Sequence, residues 1–130
     1  MKLSSESPAV ATAIAHCEAW SNHDWDEARG ALAPDVKVTA TTTKPVMPDT
    51  NTAGIDAYMQ GLVQFAQAVV PGSLRVVAGV GDERNALLMV NVEAAFGPGG
   101  APVPLPGARL YRLDEQGKIE VEQIVFLVPG

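Results

Sequence analysis

The chain ends in two strand-like runs set close together, and that pairing leaves few folds open. Ala108–Leu113 and Ile119–Val128 flank Asp114-Glu115-Gln116-Gly117, a tight turn of the kind hairpins use. The second run mixes apolar residues with Glu120, Glu122 and Gln123. A polar group on a strand that floors a cavity is a candidate for chemistry. The run is also apolar on both faces, Ile119, Val121, Val125 and Leu127 against Ile124, Phe126 and Val128. Such a strand is expected to be covered on both sides.

What precedes the hairpin supplies helices for only one of those sides. Residues 1–7 are expected to be a loose leader and residues 8–130 a single domain. From Pro8, Val10, Ile14, Cys17 and Ser21 form a helical stripe, with Ala9, Ala13, His16 and Trp20 beside it. Ser21-Asn22-His23 ends this helix. Asp24-Trp25-Asp26-Glu27 has the form of a capping box, with Asp24 as N-cap and Glu27 reaching back. It opens a short second helix that buries Trp25, Ala28, Ala31 and Leu32 and stops at Pro34. Val36–Thr43 is β-branched and reads as a strand, and residues 44–49 read as a loop. A third helix starts near Thr52, buries Ile55, Met59, Leu62, Val63, Ala66 and Val69, and closes at Pro71-Gly72. Tyr58 and Phe65 lie at the edge of that stripe. Two strands follow, roughly Leu74–Val80 and Ala86–Phe96. In Gly97–Gly107, Pro102, Pro104 and Pro106 alternate, which strips N–H donors from one side only, as in an edge strand.

The expected fold is therefore α+β: a strongly curved mixed or antiparallel sheet wrapped on three N-terminal helices, a cone-shaped α+β barrel. The outer sheet face has no helix left to cover it, which points to a homodimer through that face.

Charge and composition remove several classes of function. A net charge of −6 and a pI near 4.7 argue against nucleic acid or an anionic membrane as partner. No apolar run has the length of a membrane span. Pro8–Ala15 lacks the flanks of a signal core, and Cys17, the one cysteine, cannot form an internal disulfide. A cytoplasmic protein is expected. Gly79-Val80-Gly81 lacks the rest of a dinucleotide loop, and neither His16 with Cys17 nor His16 with His23 has metal-ligand spacing. No cofactor and no metal are expected.

The element order and its punctuation resemble the nuclear transport factor 2-like superfamily, in particular its SnoaL-like branch of polyketide cyclase and steroid isomerase relatives. The matching pieces are Trp20-Ser21-Asn22-His23-Asp24, Leu32-Ala33-Pro34-Asp35-Val36, Gly54 and Asp114-Glu115-Gln116-Gly117-Lys118-Ile119. The resemblance implies a conical pocket between the sheet and the first and third helices, often in a sheet-to-sheet homodimer. The tyrosine donor of the steroid-isomerase-like members matches His16. Their carboxylate base falls on Ala40 or Thr41 and their second acid on Arg109. The aspartate of the cyclase-like members falls on Ile124, and the Arg-x-Asp of the epoxide-hydrolase-like members on Asn91-Val92-Glu93. Each known catalytic set is broken. The fold itself hosts enzymes and non-catalytic binders alike.

Glu122 is the leading candidate for a general base, since a carboxylate in a dry pocket suits proton abstraction next to a carbonyl. The alternative is that Glu120 and Glu122 both face solvent or a dimer rim. Arg109 can clamp a ligand oxygen or hold Glu122 ionised, or it is a surface arginine at the sheet edge. Tyr111 can donate to a ligand oxygen or simply pack. His16 and Trp20 share a helix face, the first as donor or proton shuttle and the second as apolar wall, or both are ordinary core. Tyr58, Met59, Leu62, Ile124 and Phe126 are expected to line the pocket. Asn91 and Glu93 are either its polar floor or the exposed side of their strand. A four-residue loop, Asp114–Gly117, sets Arg109 opposite Glu122. A three-residue loop, Glu115–Gly117, sets Leu110 there and Arg109 against Gln123. The four-residue loop fits the pocket-facing positions the resemblance implies. The expected ligand is a small hydrophobic carbonyl compound, isomerised, cyclised or dehydrated by proton transfer. A carrier or sensor, or an interaction module whose cone is filled by side chains, remains open beside it.

Overall fold

A computed structural model describes residues 2–3, 7–43, 49–95 and 99–128 of the chain. The elements are β1 (Lys2–Leu3), α1 (Pro8–Ser21), α2 (Trp25–Gly30), β2 (Leu32–Thr42), β3 (Thr50–Ala53), α3 (Ile55–Gln67), β4 (Arg75–Gly81), β5 (Asn85–Ala94), β6 (Val103–Leu113) and β7 (Ile119–Phe126). They form one mixed sheet in the order β1-β4-β5-β6-β7-β2-β3. Every pairing is antiparallel except β2 with β7. The sheet is not closed, since β1 and β3 are its two edges. This is the cone-shaped α+β architecture expected. No helix among the described residues is long and apolar enough to cross a membrane.

Helix α1 starts where Ser7 accepts the Val10 N–H at 3.1 Å, with Pro8 in the first turn, where a missing N–H costs nothing. The Ser7 hydroxyl also donates to the Asp82 carbonyl at 2.6 Å, tying the helix start to the end of β4. Of the seven residues expected to be a loose leader, Lys2 and Leu3 thus pair with Gly81 and Val80, and Ser7 is a buried cap. Gly81 has no room for a side chain: a Cβ there would meet the Asn85 carbonyl oxygen, Ser7 Oγ at 2.8 Å and Val10 Cγ2 at 2.9 Å. Gly81→Ala is expected to destabilise the fold by about 1–3 kcal/mol through overpacking, read as a lower urea midpoint with unchanged slope.

Helix α1 packs across β4, β5 and β6, and α3 across β2 and β3. Between them the inner sheet face holds Leu88, Val90, Val92, Leu105, Leu113, Ile119, Ile124 and Phe126, all buried. Asp24 caps α2 as expected, but its own N–H goes to the Ala19 carbonyl at 2.8 Å rather than back to Glu27.

Several boundaries differ from expectation. Pro34 does not stop α2, which has already ended at Gly30; it lies in β2, within the irregular stretch between Leu32 and Lys37, where a missing N–H is tolerated. Leu32 is accordingly a strand residue. The third helix begins at Ile55, because Thr50–Ala53 pairs with Lys37–Ala40 as the edge strand β3. Most of the expected loop over 44–49, and Phe96 at the end of its strand, lie outside the described residues. Pro104 and Pro106 do not make a separate edge strand. They open β6, beyond the end of β7, where among the described residues only the Pro106 carbonyl is used on that side, by the Leu127 N–H at 2.8 Å.

The last hairpin departs furthest. The Asp114 N–H bonds the Lys118 carbonyl at 2.7 Å, and Gly117 has φ +80°, so the loop is the three-residue one. Glu120 is then an extra residue that shifts the pairing by one. Tyr111, not Arg109 or Leu110, lies opposite Glu122, and Arg109 lies opposite Ile124. The bulge also resets the alternation: Ile119, Glu122, Ile124 and Phe126 are buried, while Gln123 and Val125 are exposed. Ile119 therefore belongs with Ile124 and Phe126, not with Val121 and Val125.

Candidate functional site

A cavity of about 410 Å³ opens between α3 and the half of the sheet formed by β2, β3, β7 and the middle of β6. Apolar side chains make most of its wall: Val38, Ala40, Leu62, Phe65, Ile124 and Phe126. Three polar groups reach it from the buried interior, Tyr58 from α3, Arg109 from β6 and Glu122 from β7.

The strand register explains why Arg109 and Glu122 meet although they are not opposite one another. Both point inward, and Glu122 is two residues before Ile124, the partner of Arg109, which makes them diagonal neighbours. Arg109 Nη1 lies 3.5 Å from Glu122 Oε2, with 3% and 2% of the two side chains exposed. That distance is at the outer limit of a hydrogen bond, and Arg109 Nε has no partner among the described residues. The guanidinium carbon is 5.2 Å from the Trp20 ring centroid and 5.8 Å from that of Phe126. Aromatic faces thus take over part of the solvation that burial removes. The arginine stays charged and keeps donors for a ligand oxygen.

Glu122 has a second partner. The Tyr58 hydroxyl is 2.6 Å from Glu122 Oε1 and 2.9 Å from His16 Nε2, and His16 Nδ1 is 3.0 Å from the Ala28 carbonyl. The chain runs from cavity to interior through α3, α1 and α2. Burial holds His16 below its ordinary pKa, although Glu122 pulls the other way. Burial, reinforced by Glu122, pushes Tyr58 well above its ordinary value, so it remains a phenol. Tyr58 is 4% exposed, His16 1% and Glu122 1%.

Of the residues singled out in the sequence, Glu122, Arg109, Tyr58, Leu62, Ile124 and Phe126 come together around the cavity. His16 and Trp20 stand one layer behind, His16 on Tyr58 and Trp20 on Arg109. Tyr111 does not line the cavity: it is fully buried with its hydroxyl 3.2 Å from Cys17 Sγ. Burial raises the Cys17 pKa, so that thiol stays protonated. Met59 is buried in the core and does not line the cavity either. Asn91 and Glu93 alternate with the buried Val90, Val92 and Ala94, which puts them on the outer sheet face rather than the pocket floor. Thr42, Thr50, Thr52 and Gln64 line the cavity without having been expected to. Thr42 shares a face with Val38 and Ala40 by simple alternation along β2, a signal the sequence did carry. Among the described residues no group of three or more His, Cys, Asp or Glu could hold a metal.

Comparison with known proteins agrees with this architecture. No curated protein sequence matches the chain. A protein from Kribbella flavida DSM 17836 is 28% identical, with a TM-score of 0.72, over 89% of this chain and 84% of its own. RV0760c from Mycobacterium tuberculosis, in complex with estradiol-17beta-hemisuccinate, is 17% identical with a TM-score of 0.75, over 91% of this chain and 92% of its own. A candidate SnoaL-like polyketide cyclase from Jannaschia sp. CCS1 is 16% identical with a TM-score of 0.74, over 92% of this chain and 85% of its own. At such identities the last two show the fold alone. The sequence profile of the SnoaL-like domain matches residues 13–122, from within α1 to Glu122 in the first half of β7. The chain belongs to the SnoaL-like family of the nuclear transport factor 2-like superfamily.

Proposed function

We propose that the protein binds a small hydrophobic carbonyl compound in the cavity and converts it by general acid–base proton transfer, in the manner of an isomerase, cyclase or dehydratase. The observation that carries this reading is the buried pair at the cavity floor, Glu122 beside Arg109 in otherwise apolar surroundings. Glu122 acts as the base. Arg109 donates to the carbonyl oxygen and stabilises the negative charge that develops there once the neighbouring proton leaves. Tyr58 shares the lining, and no cofactor enters the scheme. Binding of estradiol-17beta-hemisuccinate by RV0760c supports a ligand of apolar, oxygen-bearing type.

A second reading, a non-catalytic carrier or sensor, is favoured by Ile124 at the position where the cyclase-like members place an aspartate. The cavity weighs against a cone filled by side chains. Native mass spectrometry of the purified protein separates the two: a retained ligand that is turned over on incubation supports the enzyme, and a retained ligand that is never altered supports the carrier.

The same measurement reads assembly. Leu87 and Leu110 are paired across β5 and β6 on the outer sheet face, and with Val125 they are about 40% exposed, at 42%, 42% and 39%. A homodimer through this face is expected at twice 13.6 kDa, and Leu110→Lys is expected to return it to monomers. A monomeric wild-type protein at micromolar concentration would remove the dimer.

A further inference from the structure

The proton count of the buried chain behind Glu122 does not close in the obvious charge state. A carbonyl oxygen only accepts, so the contact with Ala28 fixes one proton on His16 Nδ1. In the neutral ring Nε2 is then a lone pair. Tyr58 has one hydroxyl proton and two acceptors within reach, His16 Nε2 at 2.9 Å and Glu122 Oε1 at 2.6 Å. Both contacts become hydrogen bonds at once only when the chain holds one additional proton, on Glu122 or on Nε2. Those two arrangements differ solely by a shift of protons across the Tyr58 oxygen.

We propose that His16, Tyr58 and Glu122 form a relay for a single proton, filled from the bound molecule and emptied back onto it. The functional use of the relay rests on the reading of Glu122 as the base. In the forward step a C–H bond next to the ligand carbonyl breaks and an O–H bond forms on Glu122, while the electron pair moves to the carbonyl oxygen beside Arg109. The Glu122 O–H proton then passes to the Tyr58 oxygen as the Tyr58 proton passes to His16 Nε2. The products are an anionic Glu122, a neutral Tyr58 and an imidazolium. Reversal delivers the same proton to a different atom of the ligand, which is what an isomerisation or a cyclisation needs, without exchange through bulk water.

The surroundings suit these roles. Burial leaves His16 a neutral acceptor at rest, and it leaves Tyr58 a phenol that conducts rather than ionises. The charged groups facing His16 are Glu122 on β7, which favours the imidazolium, and Arg109 on β6, which opposes it. Those facing Tyr58 are the same two, with Cys17 of α1 close by. Tyr111 on β6 is held in its own contact with Cys17. Tyr58 and His16 are neighbouring rings, 5.9 Å between centroids, so the transfer path is already in place.

Nuclear magnetic resonance of the ligand-free protein tests this without a known substrate. The imidazole nitrogens of His16 and the carboxyl carbon of Glu122 are followed across pH in the wild type and in Tyr58→Phe. The expected result is an Nδ1 that stays protonated throughout and a single transition with one midpoint common to Nε2 and the Glu122 carboxyl. In Tyr58→Phe the two signals should part into separate midpoints. Two separate midpoints in the wild type overturn the proposal, as does a resting ring with its proton on Nε2 and none on Nδ1. The wild-type titration decides the matter even if the variant fails to fold. A common midpoint together with full turnover by Glu122→Gln would overturn the base reading and the catalytic use of the relay, with the shared proton left standing.

Discussion

Glu122→Gln is expected to lower kcat by about a hundred- to ten-thousand-fold on any compound the protein turns over, the usual contribution of a positioned general base. Glutamine keeps the shape of the side chain, and its carbonyl oxygen can still accept from Tyr58, so the cavity should be retained. What it loses is the ability to take a proton and the negative charge beside Arg109. KM should change far less than kcat, because the apolar wall and the arginine proposed to hold the ligand are untouched. Gln123→Ala supplies the control. Gln123 is the next residue along the same strand but is exposed on the opposite face, so kcat should be unchanged there. Steady-state kinetics on both variants, with circular dichroism to confirm folding, checks the assignment. Full turnover by Glu122→Gln would remove Glu122 as the base and favour the carrier.

The contrast between Glu122 and Gln123 marks how far the sequence could be read. The helices of the cone were legible because their apolar residues recur at helical spacing, and Glu122 stood out as a carboxylate in an apolar strand. Its register did not. Gly117 fits a three-residue loop, yet that loop alone would have set Leu110 against Glu122. The bulge at Glu120 adds the last shift, and nothing local announces it. Its cause is tertiary: Ile119 and Glu122 both belong inside, three residues apart, and a regular strand cannot deliver both to one face. The exposed Arg112–Glu120 contact at 2.7 Å shows where the surplus residue goes. Strand β3 escaped for a different reason. Thr50-Asn51-Thr52-Ala53 has no apolar alternation, because as an edge strand it has little surface to bury. Tyr58 read as the edge of a helical stripe. Its two partners come from α1 and β7, and only the assembled fold brings them to one oxygen.

Arg109→Met is expected to lower stability by about 3–5 kcal/mol, because it leaves the buried Glu122 without its cation. Methionine fills much of the volume between Trp20 and Phe126, so little of the loss comes from an empty space. The cation–π contacts account for about 0.5–2 kcal/mol of it. The rest is the energy of a carboxylate in apolar surroundings with one neutral donor, Tyr58, remaining. A second substitution separates these terms. In Arg109→Met/Glu122→Leu no charge is left at the cavity floor, and the Tyr58 hydroxyl can turn to His16 Nε2 at 2.9 Å, so no polar group is orphaned. The double variant is therefore expected to recover most of the loss in urea denaturation, while remaining inactive. If it is no more stable than Arg109→Met alone, the charge on Glu122 is not what Arg109 holds in check. The arginine would then matter to the fold through its aromatic contacts.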